Sequence, residues 1–347
     1  MFSRAITFSV VIASLTFGAS GVAAHAGSGP PPPTATNGQK VHLVASGLKT
    51  PTSFAFGDGA VFEGDGGTEG SAPPNGGVYL LKDGKASEVP GSPGFVAGLA
   101  WHHGALYVSG GVASANGFSW RLFKWSGWNG RRFKTQRTIF TAASKRFDGF
   151  NGLGFGANGR LYVGVDVGIT DGNDHGSAST SPHVYQILSF TPNGKHHDVF
   201  ARGIRQPWQL AFPARSNSPY VTDLGQDTGA TNPPDFVLRV KAGQNYGFPK
   251  CNRSAAKACA GYAKPWRKFR PHSDLMGIGL LGQHLYLSSF QGPTGNGPGG
   301  EIFSLSLKSR TLKPLITGFV APTVGLGVHG DQLYVGELTG QVFRVKV

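Results

Sequence analysis

Acidic side chains are scarce in this sequence. Its 347 residues include 18 Asp and Glu against 32 Lys and Arg; charged residues make up only 14% of the chain, and the formal net charge is +14, of which Arg4 leaves with the leader described below. The basic residues are scattered, with local clusters at Arg131-Arg132 and over 264–270. No long basic run and no zinc-finger or RNP signature is present, so a nucleic-acid partner is not expected. What remains is a solvated basic surface, or adhesion to an anionic cell-surface polymer. Long apolar runs are missing too. Residues 5–17 form one that is too short for a comfortable membrane span, and no later stretch approaches one. Arg4 precedes it, and small residues lead to Ala24-His25-Ala26. That pattern fits an export signal, residues 1–26, with a retained anchor as the alternative. Cysteine is limited to Cys251 and Cys259. The pair offers too few ligands for a metal. In an exported chain it is most simply a local disulfide, adding about 2–3 kcal/mol at best.

What the chain has in quantity is glycine (54) and proline (23), beside many Phe, Tyr, Val and Leu residues. That mixture suits short strands and tight turns, not helices. Residues 27–39, with Pro30 to Pro33 in succession, read as an extended, disordered tether. Folding is expected over 40–347 as one domain.

A strand with an aromatic register mark recurs six times, at Phe62, Tyr107, Tyr162, Tyr220, Tyr286 and Tyr334. A small-residue apolar strand and a Gly/Asn/Asp turn precede each copy. A third strand follows, and usually a fourth, more polar one. Units of about 45–60 residues with four antiparallel strands are propeller blades. The fold class expected is therefore all-β, a six-bladed β-propeller. The sixth unit stops at its third strand, and His42-Leu43-Val44-Ala45 is the spare strand that closes the ring and removes exposed edges.

In a propeller, the loops entering each inner strand and the loops joining second to third strands gather at one end of the axis. The first set brings Thr50, Thr52, Asp148, Asn151, Arg205, Gln206, Gln209, His272, Asp274 and Thr323; the second brings Glu63, Asp65, Asp166, Asp171, Asp223, Asp227, Gln291 and Glu337. Against an acid-poor background these carboxylates suit a hard cation such as Ca²⁺ or Mg²⁺, or else they cap turns. The polar run over 168–182, with His175, is a candidate lid or calcium loop, although it lacks EF-hand spacing. His102-His103 and His196-His197 fall in turns at the opposite end.

Gly203-Ile204-Arg205-Gln206-Pro207-Trp208-Gln209-Leu210-Ala211-Phe212, followed by Tyr220-Val221-Thr222-Asp223 and by Gln244-Asn245-Tyr246-Gly247-Phe248-Pro249, resembles the soluble glucose/sorbosone dehydrogenase family. Pro271-His272-Ser273 is similar to its sorbosone-type branch. Its members are six-bladed quinoproteins that oxidise sugars with pyrroloquinoline quinone (PQQ) and Ca²⁺. The resemblance implies that Arg205 faces the quinone with Gln206 beside it, and that Gln209 and His272 complete the cofactor site. It also implies that Gly225 and Gln226 offer carbonyls to calcium, with Asp223 and Asp166 as further ligands. Such enzymes carry a histidine base at the start of the third blade; this chain reads Phe147-Asp148-Gly149-Phe150-Asn151 there. Asp148 is the substitute base, weaker because its unperturbed pKa lies near 4. Residues 288–300 contain no Lys or Arg where basic residues are expected. The leading expectation is an exported sugar dehydrogenase, catalysed by Asp148 and Arg205, passing electrons to a soluble or membrane acceptor. Residues 151–163 also look like a calcium-dependent gluconolactonase, with Glu63, Asn151 and Asp223 as ligands. A non-catalytic propeller that binds glycans or proteins is the third reading.

Overall fold

The computed structural model describes residues 31–347 except 69–70, 72, 115–116, 143–148, 166–182, 227–231, 254–255 and 291–298. Twenty-five strands, β1 to β25 in chain order, are present among them, with one short 3₁₀ turn at Ala256–Cys259. Blade 1 is β3 (Pro51–Gly57), β4 (Ala60–Asp65), β5 (Gly77–Lys82) and β6 (Lys85–Glu88). Blade 2 is β7 (Phe95–His102), β8 (Ala105–Ser114), β9 (Gly117–Trp128) and β10 (Phe133–Thr141). Blade 3 is β11 (Phe150–Phe155), β12 (Leu161–Val165), β13 (Gln186–Phe190) and β14 (His197–Arg202). Blade 4 is β15 (Pro207–Ala211), β16 (Tyr220–Asp223), β17 (Phe236–Arg239) and β18 (Arg267–Lys268). Blade 5 is β19 (Leu275–Leu281), β20 (His284–Ser289), β21 (Glu301–Ser306) and β22 (Leu312–Thr317). Blade 6 is β23 (Thr323–His329), β24 (Gln332–Glu337) and β25 (Gln341–Lys346), completed by β2 (His42–Ala45).

The molecule is thus an all-β six-bladed propeller, and its ring closes as the orphan strand required: β2 pairs antiparallel with β25, His42 opposite Arg344 and Leu43 opposite Phe343. One expectation needs correcting. Part of the stretch read as a disordered tether is ordered, because Thr34–Ala35 (β1) pairs with Thr317 and Ile316 on the outer edge of β22. Thr36 continues the attachment, its N–H donating to the Leu315 carbonyl at 2.8 Å and its hydroxyl to the Pro314 carbonyl at 2.9 Å. An open strand edge has unpaired N–H and C=O groups, and even two residues of extended chain satisfy some of them.

The six register aromatics fill the gaps between blades. Each is 6% exposed or less. Phe62 stacks on Trp101 of blade 2, Tyr107 meets Phe155 of blade 3 edge-on, Tyr162 lies 5.0 Å from Phe212 of blade 4, and Tyr334 lies 5.0 Å from Phe56 of blade 1. Around the axis the inner strands approach so closely that four of the six blades carry glycine at one repeated position. A Cβ on Gly98, Gly152, Gly277 or Gly325 would lie 2.7–2.8 Å from a carbonyl oxygen of the next blade's inner strand. The same position carries Ser53 in blade 1 and Gln209 in blade 4.

Candidate functional site at the axial face

Two motifs separated by about forty residues fold into one unit beside blade 4. The segment after β17 returns to the loop that enters β15: the Arg202 N–H donates to the Gln244 carbonyl, the Tyr246 N–H to the Arg202 carbonyl, and the Phe248 N–H to the Gly203 carbonyl, at 2.9, 2.9 and 3.1 Å. Gly203 makes this contact possible, since a Cβ there would lie 2.3 Å from the Gly247 nitrogen. The Cys251–Cys259 disulfide, with Cα atoms 5.0 Å apart, ties off the excursion. Asn252 beside it donates to the Gln226 side-chain oxygen at 3.1 Å.

Arg205 is the buried cation of this unit, 8% exposed. Its Nη1 donates to the Gly225 carbonyl at 2.7 Å, the Leu224 carbonyl at 3.1 Å and the Gln206 side-chain oxygen at 3.1 Å. Asp223 holds the loop from below, its Oδ1 accepting the Gln206 N–H at 2.8 Å. Burial pushes the Asp223 carboxyl up to about 6 against the pull of that N–H and of the Arg205 and Arg253 charges. Asp235 spans two loops: Oδ1 accepts the Gly225 N–H and Oδ2 the Asp274 N–H, both at 2.6 Å. Burial raises it to about 7. His272 and Asp274 both adopt left-handed backbone, φ 56° and 43°. This strained turn is held by Asp235 and by a side-chain bond between His272 and Asn232.

Three of the acids expected to crowd the axis for a cation pin loops instead. Asp65, Asp223 and Glu337 occupy the same place, the end of the second strand in blades 1, 4 and 6. Asp65 accepts the N–H groups of Lys49 and Gly67 at 2.7 and 2.6 Å, and Glu337 accepts the Ala321 N–H at 2.7 Å. Each carboxylate pins the loop entering its own blade. No group of three or more His, Cys, Asp or Glu side chains could hold a metal among the described residues.

Gln209 also differs from the expectation of a cofactor contact. Its amide donates to the Leu326 carbonyl at 3.0 Å, and its side-chain oxygen accepts the Ile278 N–H at 2.7 Å. It stands where four blades have glycine and ties the inner strands of blades 5 and 6 to that of blade 4. Asp148, Asp166, Asp171, His175, Asp227 and Gln291 lie outside the described residues.

Glu63 is a residue whose peculiarity the repeat could have revealed. Its place in the other blades is taken by Val108, Val163, Val221, Leu287 and Val335, all fully buried. Strand alternation turns it away from blade 2, where Phe62 and Gly64 point, and toward blade 6. It is itself fully buried, and neither carboxyl oxygen makes a hydrogen bond. Desolvation, with Asp65 adding to it, raises its pKa well above the ordinary carboxylate range.

The fit to the expected cofactors is uneven. A tricarboxylate quinone needs a fixed buried cation, and Arg205 beside Gln206 meets that need. Of the two backbone carbonyls assigned to calcium, that of Gly225 accepts from the guanidinium. A divalent cation there would face a like charge across one oxygen atom.

No family model matches the chain, and no curated protein matches it in sequence. Solved structures do. A proposed glucose dehydrogenase from Thermus thermophilus superposes with a TM-score of 0.69 at 20% identity, covering 89% of this chain and 100% of that one. The PQQ domain of pyranose dehydrogenase from Coprinopsis cinerea gives 0.67 at 14% identity, covering 92% and 98%. The shared feature is the fold. A proposed gluconolactonase gives 0.55 at 16% identity, covering 89% and 92%.

Proposed function

We propose that the chain is an exported oxidoreductase that acts on a small sugar-type substrate at the axial face, with PQQ bound beside Arg205. The observation that carries this reading is Arg205: a buried guanidinium fixed by the Leu224 and Gly225 carbonyls and by Gln206. It sits in a fold shared with a PQQ domain and a proposed glucose dehydrogenase. PQQ, when bound, supplies a two-electron acceptor. The chain's own residues hold and orient it. Arg205 presents a fixed charge to a carboxylate, Asp223 and Asp235 brace the loops that carry Arg205 and Asp274, and Cys251 and Asn252 of the disulfide-closed segment line the pocket beside Arg205. Asp148 is the proposed proton acceptor. The proposal rests on Arg205 rather than on a metal, since the Gly225 carbonyl assigned to calcium holds the guanidinium. The disulfide supports export to an oxidising compartment, from which electrons pass to a soluble or membrane acceptor.

The lactonase reading is not favoured. Asn151 donates to the Pro207 carbonyl and Asp223 accepts from Gln206, so two of its three ligands already hold loops, while Glu63 has no partner.

Calorimetric titration of the full chain with PQQ tests the proposal. Saturable binding is expected, unchanged by a chelator and weakened about tenfold or more by Arg205→Lys, which keeps charge but loses the fork. Aldose-dependent dye reduction should follow loading. Failure of the intact, folded chain to bind PQQ would sink the reading.

A further inference from the structure

On the opposite face, where first strands end and second strands begin, blades 4 and 5 leave an open groove. At one side Arg239, exposed at the end of β17, sets its guanidinium 5.4 Å from the centre of the Tyr220 ring. Tyr220 meets Trp266 edge to face at 5.1 Å. Arg310, in the β21–β22 turn, lies over Trp266 at 5.2 Å. Phe212 and Leu281 line the groove between them. The order across it is cation, ring, ring, cation.

Arg310 is held in place rather than loosely exposed. Its backbone is left-handed, φ 58°, and its N–H donates to the Ser306 carbonyl at 2.9 Å. Arg267 donates to the Arg310 carbonyl, and the Arg310 guanidinium reaches the Trp266 carbonyl at 3.5 Å. None of Arg239, Arg267 and Arg310 pairs with a carboxylate among the described residues. The described acids of this face are elsewhere: Asp58 and Asp83 in the turns of blade 1, Asp198 paired with Arg160, and Asp331 paired with Lys346. Partial burial and the charge of Arg310 both lower the pKa of Arg267, the mark of like charges gathered without an anion. Clustered cations repel one another, and ring stacking offsets only part of that.

We propose that this groove binds an anionic polysaccharide, a chain of sugars bearing carboxylates. Guanidinium forks suit carboxylates bidentately. The apolar lining suits the C–H faces of sugar rings, and cations separated by two aromatic rings suit charges that repeat along a polymer. The groove lies on the face away from Arg205, so the proposal stands or falls independently of PQQ.

Binding of the full chain to polygalacturonate, with dextran as the uncharged control, tests it. Saturable binding that falls as salt rises is expected. The double change Arg239→Ala with Arg310→Ala should weaken it about tenfold or more, at 1.4 kcal/mol per decade. Arg310→Lys, which keeps charge but loses planar stacking, should weaken it by a smaller factor. Arg131→Ala with Arg132→Ala, a basic pair on the same face in blade 2, should leave it unchanged. The proposal is overturned if polygalacturonate does not bind, if the blade 2 pair matters equally, or if duplex DNA or anionic lipid vesicles bind as tightly.

Discussion

The two ends of the propeller use charge in opposite ways. At the axial end carboxylates are buried and spend their lone pairs on backbone N–H groups: Asp65, Asp223, Asp235 and Glu337 each fix a loop. At the turn end, Arg239 and Arg310 are exposed and have no carboxylate partner among the described residues. A carboxylate that closes a loop is part of the scaffold even when it borders a site, whereas an ordered cation without a partner is available to a ligand. The difference follows from connectivity. The hairpins of the turn end are capped by neutral side chains of the same turn, such as Asn129, Asn158 and Asn193, while the longer loops of the axial end are held by carboxylates.

The largest effect is expected where that bracing is removed. Asp235→Ala leaves the Gly225 and Asp274 N–H groups buried without acceptors and should cost about 3 kcal/mol or more, read from urea unfolding by tryptophan fluorescence. A loss under about 0.5 kcal/mol would mean that water replaces the carboxylate and that the contrast between the ends is weaker than drawn. Gln209→Ala comes next. It removes two bonds that tie blades 5 and 6 to blade 4, and should cost about 1–3 kcal/mol in the same assay.

Glu63→Val tests the exception within the core. It restores the residue that four other blades carry and should stabilise the chain by about 1–2 kcal/mol near neutral pH. The sign follows from the raised folded-state pKa. Stability from Glu63 is fully present below its unfolded value near 4.5 and is lost as pH rises through the folded value. Asp223 and Asp235, raised from 3.8 to about 6 and about 7, act in the same direction. Thermal melts of the wild type should therefore fall between about pH 4 and pH 7. The gain from Glu63→Val should shrink toward pH 4, and a gain independent of pH would mean that packing, not ionisation, is its source. The smallest effect belongs to the turn end: Arg160→Ala breaks a pair with Asp198, which is 74% exposed, and should change stability by no more than about 1 kcal/mol.

Much of the fold was legible because a repeat carries its own alignment. The six aromatics from Phe62 to Tyr334 mark positions that the structure buries between blades, and the orphan strand at His42–Ala45 closes the ring. The pairing of Cys251 with Cys259 was legible from their spacing. The site was less so. The motif around Arg205 located the buried guanidinium, but its consequence depends on which carbonyls it meets, and those belong to residues about twenty positions away. Gln209 and Glu63 break the repeat visibly, yet a list of converging loop residues treats them like their neighbours.

By itself, then, the sequence determined the blade count, the closure and the polar composition of the axial end, because these follow from local periodicity and turn chemistry. Only the tertiary structure decided which polar groups are already satisfied. It set Arg205 against the carbonyl assigned to a metal, gave Asp223 to the Gln206 N–H and Gln209 to the inner strands of blades 5 and 6, and lined up Arg239, Tyr220, Trp266 and Arg310 across two blades. Hydrogen-bond partners far apart in the chain are chosen by packing, and no local pattern in the sequence encodes that choice.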